Sequence, residues 1–503
     1  MPTAPLPDRR PLTYRVLVAA VRAVMRLFFR RIVVEGRENV PLDRGGLLVA
    51  WHPNGLIDPA LIVTQFPGHA VFGARDGLLR WPVLGAAMRA MGTVPIYRPQ
   101  DSKGQSEEAR REANQKSLDA LALAVVDGSY AALFPEGVSH DNPHLSEIRS
   151  GAARLALRTI QLAQGERPAI VPVGLHYDRK SLFRSDVLVT FHRPVKIPSA
   201  LLEAETGSEA ERARRLTDLI REALVRVVRP TADWRLHALM HRARTLVRAE
   251  ATARDGLERR ETVRGKALGF AQVWHGYQVR RESHPGEIEA LRADLGRYDR
   301  RLRALGLSDA DLDRPPRLAS PTLALVLAAQ AVGVFLLLPP LLALGYAVNL
   351  PVHVAVRALA RRFASAEKDA ATIKILAGLV LYPLAWVGTG LVASGVHVRL
   401  REAFPSLPDT PVLVGLVFGV LAAVGGALVL VYTDLATQTA RAVRVRLTRQ
   451  SRADVVAALR AERAGLHDRF LDLAQGLALP DDLTDEDRRF TAPVPERPPA
   501  TER

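Results

Sequence analysis

The chain has 503 residues, enough for two or three domains, and its hydrophobic share of 48% fits a globular protein with added membrane segments. It contains no cysteine, which excludes disulfides, thiolate nucleophiles and cysteine-ligated metal centres, so its chemistry must come from oxygen and nitrogen groups. The net charge of +16, from 69 Lys and Arg against 53 Asp and Glu, favours anionic phosphates as partners, yet the basic residues lie in mixed-sign stretches that read as solvated helix faces and argue against nucleic acid.

Residues 1–31 read as an amphipathic, membrane-associated helix: Val16, Leu17, Val21, Val24, Met25, Leu27 and Phe28 alternate with Arg15, Arg22, Arg26 and Arg30. Packing on a domain core is the other reading of the same pattern. The segment does not resemble a secretory signal, because Arg9, Arg10 and Arg15 are not followed by a short apolar core with a small-residue cleavage site.

From 32 to 200, short β-rich runs alternate with helical stretches. Strands are expected at Ile32–Val34, Leu47–Trp51, Ala70–Phe72, Thr93–Ile96, Tyr130–Phe134, Ala169–Gly174 and Val187–Phe191, with helices near 59–65, 81–91, 105–127 and 148–164. The alternation predicts an α/β domain with a mainly parallel sheet flanked by helices, in which reactive residues gather where strands end. Residues 201–316 are charged, with helical spacing at Leu216, Leu219, Ile220 and Leu224, and read as a helical connector.

Residues 317–434 read as a C-terminal α-helical transmembrane region. The run 318–356 carries no Asp, Glu, Lys or Arg and is expected to form a hairpin turning at Pro339-Pro340, followed by single crossings at 375–396 and 410–433. Arg357, Arg361, Arg362, Lys368 and Lys374 flank one side, and Arg441, Arg444, Arg446, Arg449 and Arg452 another, so four crossings place both ends in the cytoplasm. Residues 435–503 are expected to be a cytoplasmic helical tail with a disordered end.

Four short blocks punctuate the α/β domain. His52-Pro53-Asn54-Gly55-Leu56-Ile57-Asp58-Pro59 puts an imidazole at a strand end and a carboxylate at a helix start, a pair that can act as base and orienter or share an ordinary turn. Gly92-Thr93-Val94-Pro95-Ile96-Tyr97-Arg98 ends a strand on an Arg whose planar fork suits phosphate. Phe134-Pro135-Glu136-Gly137-Val138-Ser139 places a Glu and a Gly at a second strand end, with following amides available for an anion or oxyanion cradle. Ile170-Val171-Pro172-Val173-Gly174 is an apolar strand.

In this order the four blocks resemble the motifs of the glycerophospholipid acyltransferase family, which includes lysophosphatidic acid and glycerol-3-phosphate acyltransferases; the resemblance covers roughly residues 20–200. It implies that His52 is the catalytic base and Asp58 its partner, and that Arg98, Glu136, Gly137 and Ser139 bind the acceptor. Val171, Pro172, Val173 and Gly174 would lie by the acyl pocket. Arg149 and Arg154, at the start of the next helix, are further candidates for phosphate. This chain has five residues between His52 and Asp58 where the common motif has four, Val138 where Thr is common and Pro95 where Phe is frequent. Its His-Pro-Asn-Gly-Leu-Ile-Asp-Pro variant looks like that of a branch associated with glycerol-3-phosphate or dihydroxyacetone-phosphate acylation.

The resemblance implies transfer of a fatty acyl group from acyl-CoA or acyl carrier protein to a hydroxyl of glycerol 3-phosphate or dihydroxyacetone phosphate, in phospholipid synthesis, without a cofactor or metal. The alternatives are lysophosphatidic acid as acceptor, and a non-enzymatic membrane scaffold with a degenerate acyltransferase domain. A phosphatase finds no metal-ligand cluster or phosphate-cradling Gly-rich loop in the sequence. The expected setting is an integral membrane protein of a bacterial inner membrane with a cytoplasmic catalytic domain, in contact with membrane phospholipid, the acyl donor thioester and a phosphorylated glycerol acceptor. Oligomeric state is not legible.

Overall fold

The computed structural model describes residues 10–98, 106–201, 207–256, 261–313, 321–364, 366–480 and 483, so the start of the expected hairpin and the expected disordered end of the tail lie outside the described residues. The chain divides into two units, one comprising Met1–Trp234 with Ala360–Ile375, the other Arg235–Leu359 with Leu376–Arg503.

The first unit is built on one seven-stranded sheet. Its strands are β1 (Arg31–Glu35), β2 (Gly46–Ala50), β3 (Ala70–Arg75), β4 (Val94–Ile96), β5 (Tyr130–Leu133), β6 (Ala169–Tyr177) and β7 (Asp186–Phe191), in the order β1-β7-β6-β2-β5-β3-β4. Strands β2 to β6 run parallel, while β7 is antiparallel to β6 and β1 parallel to β7. The sheet is thus mainly parallel, as the alternation of strand and helix patterns predicts.

Strand β2 shows why the pattern folds this way. Every residue is buried, because Leu48 and Ala50 enter one core and Leu47 and Val49 the core on the opposite face. Pro172 is tolerated inside β6 because the ladder with β7 begins only at Val173, so its missing N–H faces the side where β7 has already ended. The helices start on short polar caps. Ser106 Oγ accepts from Ala109 N at 3.1 Å, and Ser208 and Glu211 form a reciprocal capping box ahead of helix Glu209–Val228.

Two expected boundaries move. Helix Glu209–Val228, assigned to the connector on its sequence, packs Leu216, Ile220 and Leu224 into the second core of the sheet, so the α/β unit runs on to Trp234. The N-terminal helix, Leu12–Phe28, buries Tyr14, Val18, Met25 and Phe28 in the first core, and Arg22 donates to Thr64 O at 2.8 Å. One face is therefore core packing; Leu12, Val16 and Leu27 stay exposed on the rest.

The second unit contains a helical bundle of residues 235–255, Val263–Ser283, Pro285–Ala304 and Ala453–Ala474 around Leu246, Leu291, Leu295, Tyr298 and Leu466. Connector and tail, separate on the sequence, are one bundle: the buried Arg463 of the tail donates to Glu250 Oε2 at 2.7 Å and to Asp309 O at 3.0 Å. Among the described residues three helices are long and apolar enough to cross a membrane, Ala343–Phe363, Glu367–Ala403 and Pro411–Ser451, and a shorter apolar helix covers Ala328–Pro340. The described part of the expected hairpin is helical on both sides of Leu342, two residues past the Pro-Pro pair. Asn349 ties the region together: its amide donates to Gly345 O and Ala422 O at 2.9 Å, and its Oδ1 accepts from Trp386 Nε1 at 3.0 Å. A Cβ on Gly345 would stand 2.7 Å from Gly425 O, so small residues let these backbones touch.

Candidate active site

Because β2, β4, β5 and β6 are parallel, their carboxyl ends share one edge of the sheet, and the first three expected motifs reach that edge, while the fourth, Ile170–Gly174, lies inside β6. His52 follows β2 and Glu136 follows β5, on neighbouring strands.

His52 Nδ1 lies 2.8 Å from Asp58 Oδ2, with the His side chain 16% exposed and that of Asp58 fully buried. The helix Ile57–Gln65 begins one residue before Asp58, which aims the carboxylate back at the loop, where Asn54 N also donates to Oδ2 at 2.7 Å. The Tyr177 hydroxyl, at the end of β6, donates to the other oxygen, Oδ1. Burial first, and the negative charge of Asp58 second, hold the Tyr177 phenol well above its ordinary range, so it is a permanent donor there. A carboxylate receiving these donors accepts from the imidazole as well, which puts the ring hydrogen on Nδ1 and leaves Nε2 as the free base. The ring lies flat on Phe134, centroids 3.9 Å apart and planes 14° from parallel. That face can steady the imidazolium once it forms.

Glu136 is buried and fully engaged. Oε1 accepts from Ser146 N at 2.9 Å and Oε2 is 2.9 Å from His140 Nε2. Asn142 N donates to His140 Nδ1 at 3.2 Å, so the ring hydrogen of neutral His140 sits on Nε2 and points at Glu136. His140 N donates to His52 O at 3.2 Å, joining the two loops. The expected cradle of amides after Glu136 is reduced by this arrangement: Gly137 N is already given to Phe134 O at 2.9 Å, in a turn that the φ of +70° at Gly137 requires. Ser139 gives its carbonyl to Lys368 Nζ at 2.5 Å.

Arg149 lies against Gly137, where a Cβ would meet its Cδ at 3.4 Å, and is exposed. Arg154, one turn into helix Gly151–Leu162, lines an open groove with Ser150, Arg214 and Arg221. Arg98 follows the edge strand β4, three strand spacings from β2, or roughly 14 Å along the sheet. Its backbone is braced by Asn114, which exchanges two 2.9 Å bonds with Tyr97 N and O. Val171, Pro172, Val173 and Gly174 are buried inside the sheet, and Val171 and Val173 belong to the first core. These side chains pack the domain; it is Tyr177, farther along the same strand, that reaches the His52 pair. Reading the strand as ended at Gly174 hides Tyr177, although Leu175 continues the apolar run toward it.

Residues 31–176 match the family model described as Acyltransferase. The chain is similar to an uncharacterized acyltransferase of Schizosaccharomyces pombe, 24% identical over 365 residues, which cover 56% of this chain and 52% of that protein. It is also similar to glycerol-3-phosphate O-acyltransferase 2 of Saccharomyces cerevisiae, 32% identical over 114 residues, 23% of this chain and 15% of that protein. The chain therefore spans about half the length of the first relative and a smaller part of the second. Among solved structures, the 1-acyl-sn-glycerophosphate acyltransferase PlsC of Thermotoga maritima matches at 22% identity and a TM-score of 0.29, over 42% of this chain and 77% of that one.

Proposed function

With residues 31–176 forming a domain of the acyltransferase family as the premise, we propose that the chain transfers a fatty acyl group from an acyl-CoA or acyl carrier protein thioester to a hydroxyl of glycerol 3-phosphate or dihydroxyacetone phosphate. The observation that carries this reading is the His52–Asp58 pair with Nε2 left free at the sheet edge. Nε2 takes the proton of the acceptor hydroxyl as its oxygen attacks the thioester carbonyl carbon. The tetrahedral intermediate then expels the thiolate, which receives that proton back from the imidazolium, so no acyl-enzyme is formed. Asp58 stabilises the imidazolium and fixes the ring. Arg98 and Arg149 supply positive charge for the acceptor phosphate, and Arg154 adds to it from the neighbouring groove.

The family of the domain supports acyl transfer, and the similarity to a glycerol-3-phosphate O-acyltransferase supports this acceptor. The membrane helices keep the lipid product at its bilayer, with four crossings and the Arg-rich segments 357–374 and 441–452 on the cytoplasmic side. The test is an assay of the purified full chain with labelled acyl-CoA against glycerol 3-phosphate, dihydroxyacetone phosphate and lysophosphatidic acid. Acylation of either of the first two supports the reading. Acylation of lysophosphatidic acid alone replaces the acceptor, and no product with any acceptor overturns the reaction.

A further inference from the structure

Helix Glu367–Ala403 is apolar over most of its length, yet its first turns belong to the α/β unit. Ala371 is wholly buried in the first core, with Ile375 packed beside it. On the polar side of these turns the contacts fall on the loops that follow β2, β5 and β6. Leu56 N donates to Thr372 Oγ1 at 3.3 Å, within the loop that links His52 to Asp58. Lys368 Nζ donates to Ser139 O at 2.5 Å, and Lys368 N to Asp141 Oδ2 at 3.3 Å, in the loop that carries Glu136 and His140. Lys374 Nζ donates to Ser181 O at 2.7 Å, just beyond Tyr177.

The loops are also tied to one another beneath the helix. Lys180 Nζ reaches Asp141 and, at 3.3 Å, Pro53 O, while Asn54 Nδ2 donates to Lys180 O at 2.9 Å. Trp234 Nε1 donates to Asp141 O at 2.7 Å. Asp141 thus receives the start of the helix, where backbone N–H groups have no partner inside the helix and a negative charge is favoured. Gly55, at φ +38°, is the contact point: a Cβ there would lie 3.0 Å from Thr372 Oγ1 and 3.1 Å from Lys368 O.

We propose that Lys368 and Thr372 are positioning residues for acyl transfer, and that the first turns of this apolar helix are a working part of the active site and not an anchor alone. The inference rests on the function proposed above. Loops that hold a base and its partner must keep them within fractions of an ångström, and small displacements from remote changes lower the rate steeply. The helix supplies hydrogen bonds to these loops from a segment whose own position is set by core packing at Ala371.

The test uses the full chain in detergent or lipid nanodiscs, with Thr372→Val, Thr372→Ser, Lys368→Met and Lys368→Arg compared with wild type. Thr372→Val and Lys368→Met are expected to lower kcat about tenfold with the acceptor KM within about twofold of wild type, and Thr372→Ser to restore kcat. Hydrogen exchange at amides 53–57 and 138–141 is expected to quicken in the two disruptive variants. Unchanged kcat in both, or a raised KM at unchanged kcat, overturns the proposal. Acyl transfer that fails in wild type itself counts against the proposed function alone. The exchange measurement still decides whether Lys368 and Thr372 hold these loops, because unchanged protection in both variants overturns that role.

Discussion

Tyr177 donates its hydroxyl hydrogen to the oxygen of Asp58 that the His52 ring leaves free. The imidazole and the phenol thereby share one buried carboxylate, which cannot rotate without losing one of them. Replacing Tyr177 by Phe keeps the ring and removes only that donor. The expected result is a kcat lowered about tenfold with the acceptor KM little changed, measured in steady-state assays. Because the folded pKa of this phenol lies above the unfolded value of 10.0, its stabilising contribution is complete below that pH and is lost as the pH rises beyond it. The difference in melting temperature between wild type and Tyr177→Phe is therefore expected to narrow above about pH 10.

His52→Ala removes the base itself. Turnover is expected to fall by about 10²–10⁴ while the melting temperature changes little, since the ring is a partly exposed cap on Phe134 and not core. A variant retaining more than about a tenth of wild-type turnover contradicts general-base catalysis by this residue.

Arg98→Ala is expected to raise the KM for a phosphorylated acceptor about tenfold, with kcat within about threefold of wild type. Arg98 lies at the far edge of the sheet from the base, so its effect should appear in binding and not in the chemical step. An unchanged KM removes it from the acceptor site.

Gly55→Ala forces a Cβ into the contact with Thr372 and Lys368 at a positive φ. The cost is expected to be about 1–3 kcal/mol, read as a lower melting temperature, and kcat should fall with it because the same loop carries His52.

In the helical bundle, His237 is pushed down by burial to about 4, and its ring sits 4.7 Å from that of Phe270. The native state resists its protonation, so the stability associated with the neutral ring is present above the unfolded value of 6.5 and is lost as the pH falls toward 4. Thermal unfolding scanned from pH 7 to pH 4 is expected to show a loss of at most about 3 kcal/mol that His237→Phe largely abolishes.

The sheet and the pairing of His52 with Asp58 were legible because local signals carry them. Leu47 to Ala50 is an unbroken apolar run before His52, and a buried parallel strand needs that run. The expected runs 375–396 and 410–433 likewise fall on helices long and apolar enough to cross a membrane, and the second half of the expected hairpin lies in a third such helix, Ala343–Phe363. What stayed hidden depends on distance along the chain. On the sequence Lys368 and Lys374 count as flanking charges of an apolar run, whereas in the fold each is spent on a backbone carbonyl of the α/β unit. No periodicity links Thr372 to Leu56, which lies 316 residues away. Helix Glu209–Val228 shows the opposite limit: its apolar spacing is plain, but spacing alone does not say which core it enters.

The α/β unit takes its last piece, Ala360–Ile375, only after the chain has passed through 125 residues of the other unit. On the ribosome, the sheet and its motif loops emerge first and wait for Lys368 and Thr372 to be made. A nascent chain halted at Trp234 carries His52, Asp58 and Glu136 but lacks the segment that braces their loops. Synthesis itself then delays completion of the His52–Asp58 site until the chain has reached the start of the apolar helix Glu367–Ala403.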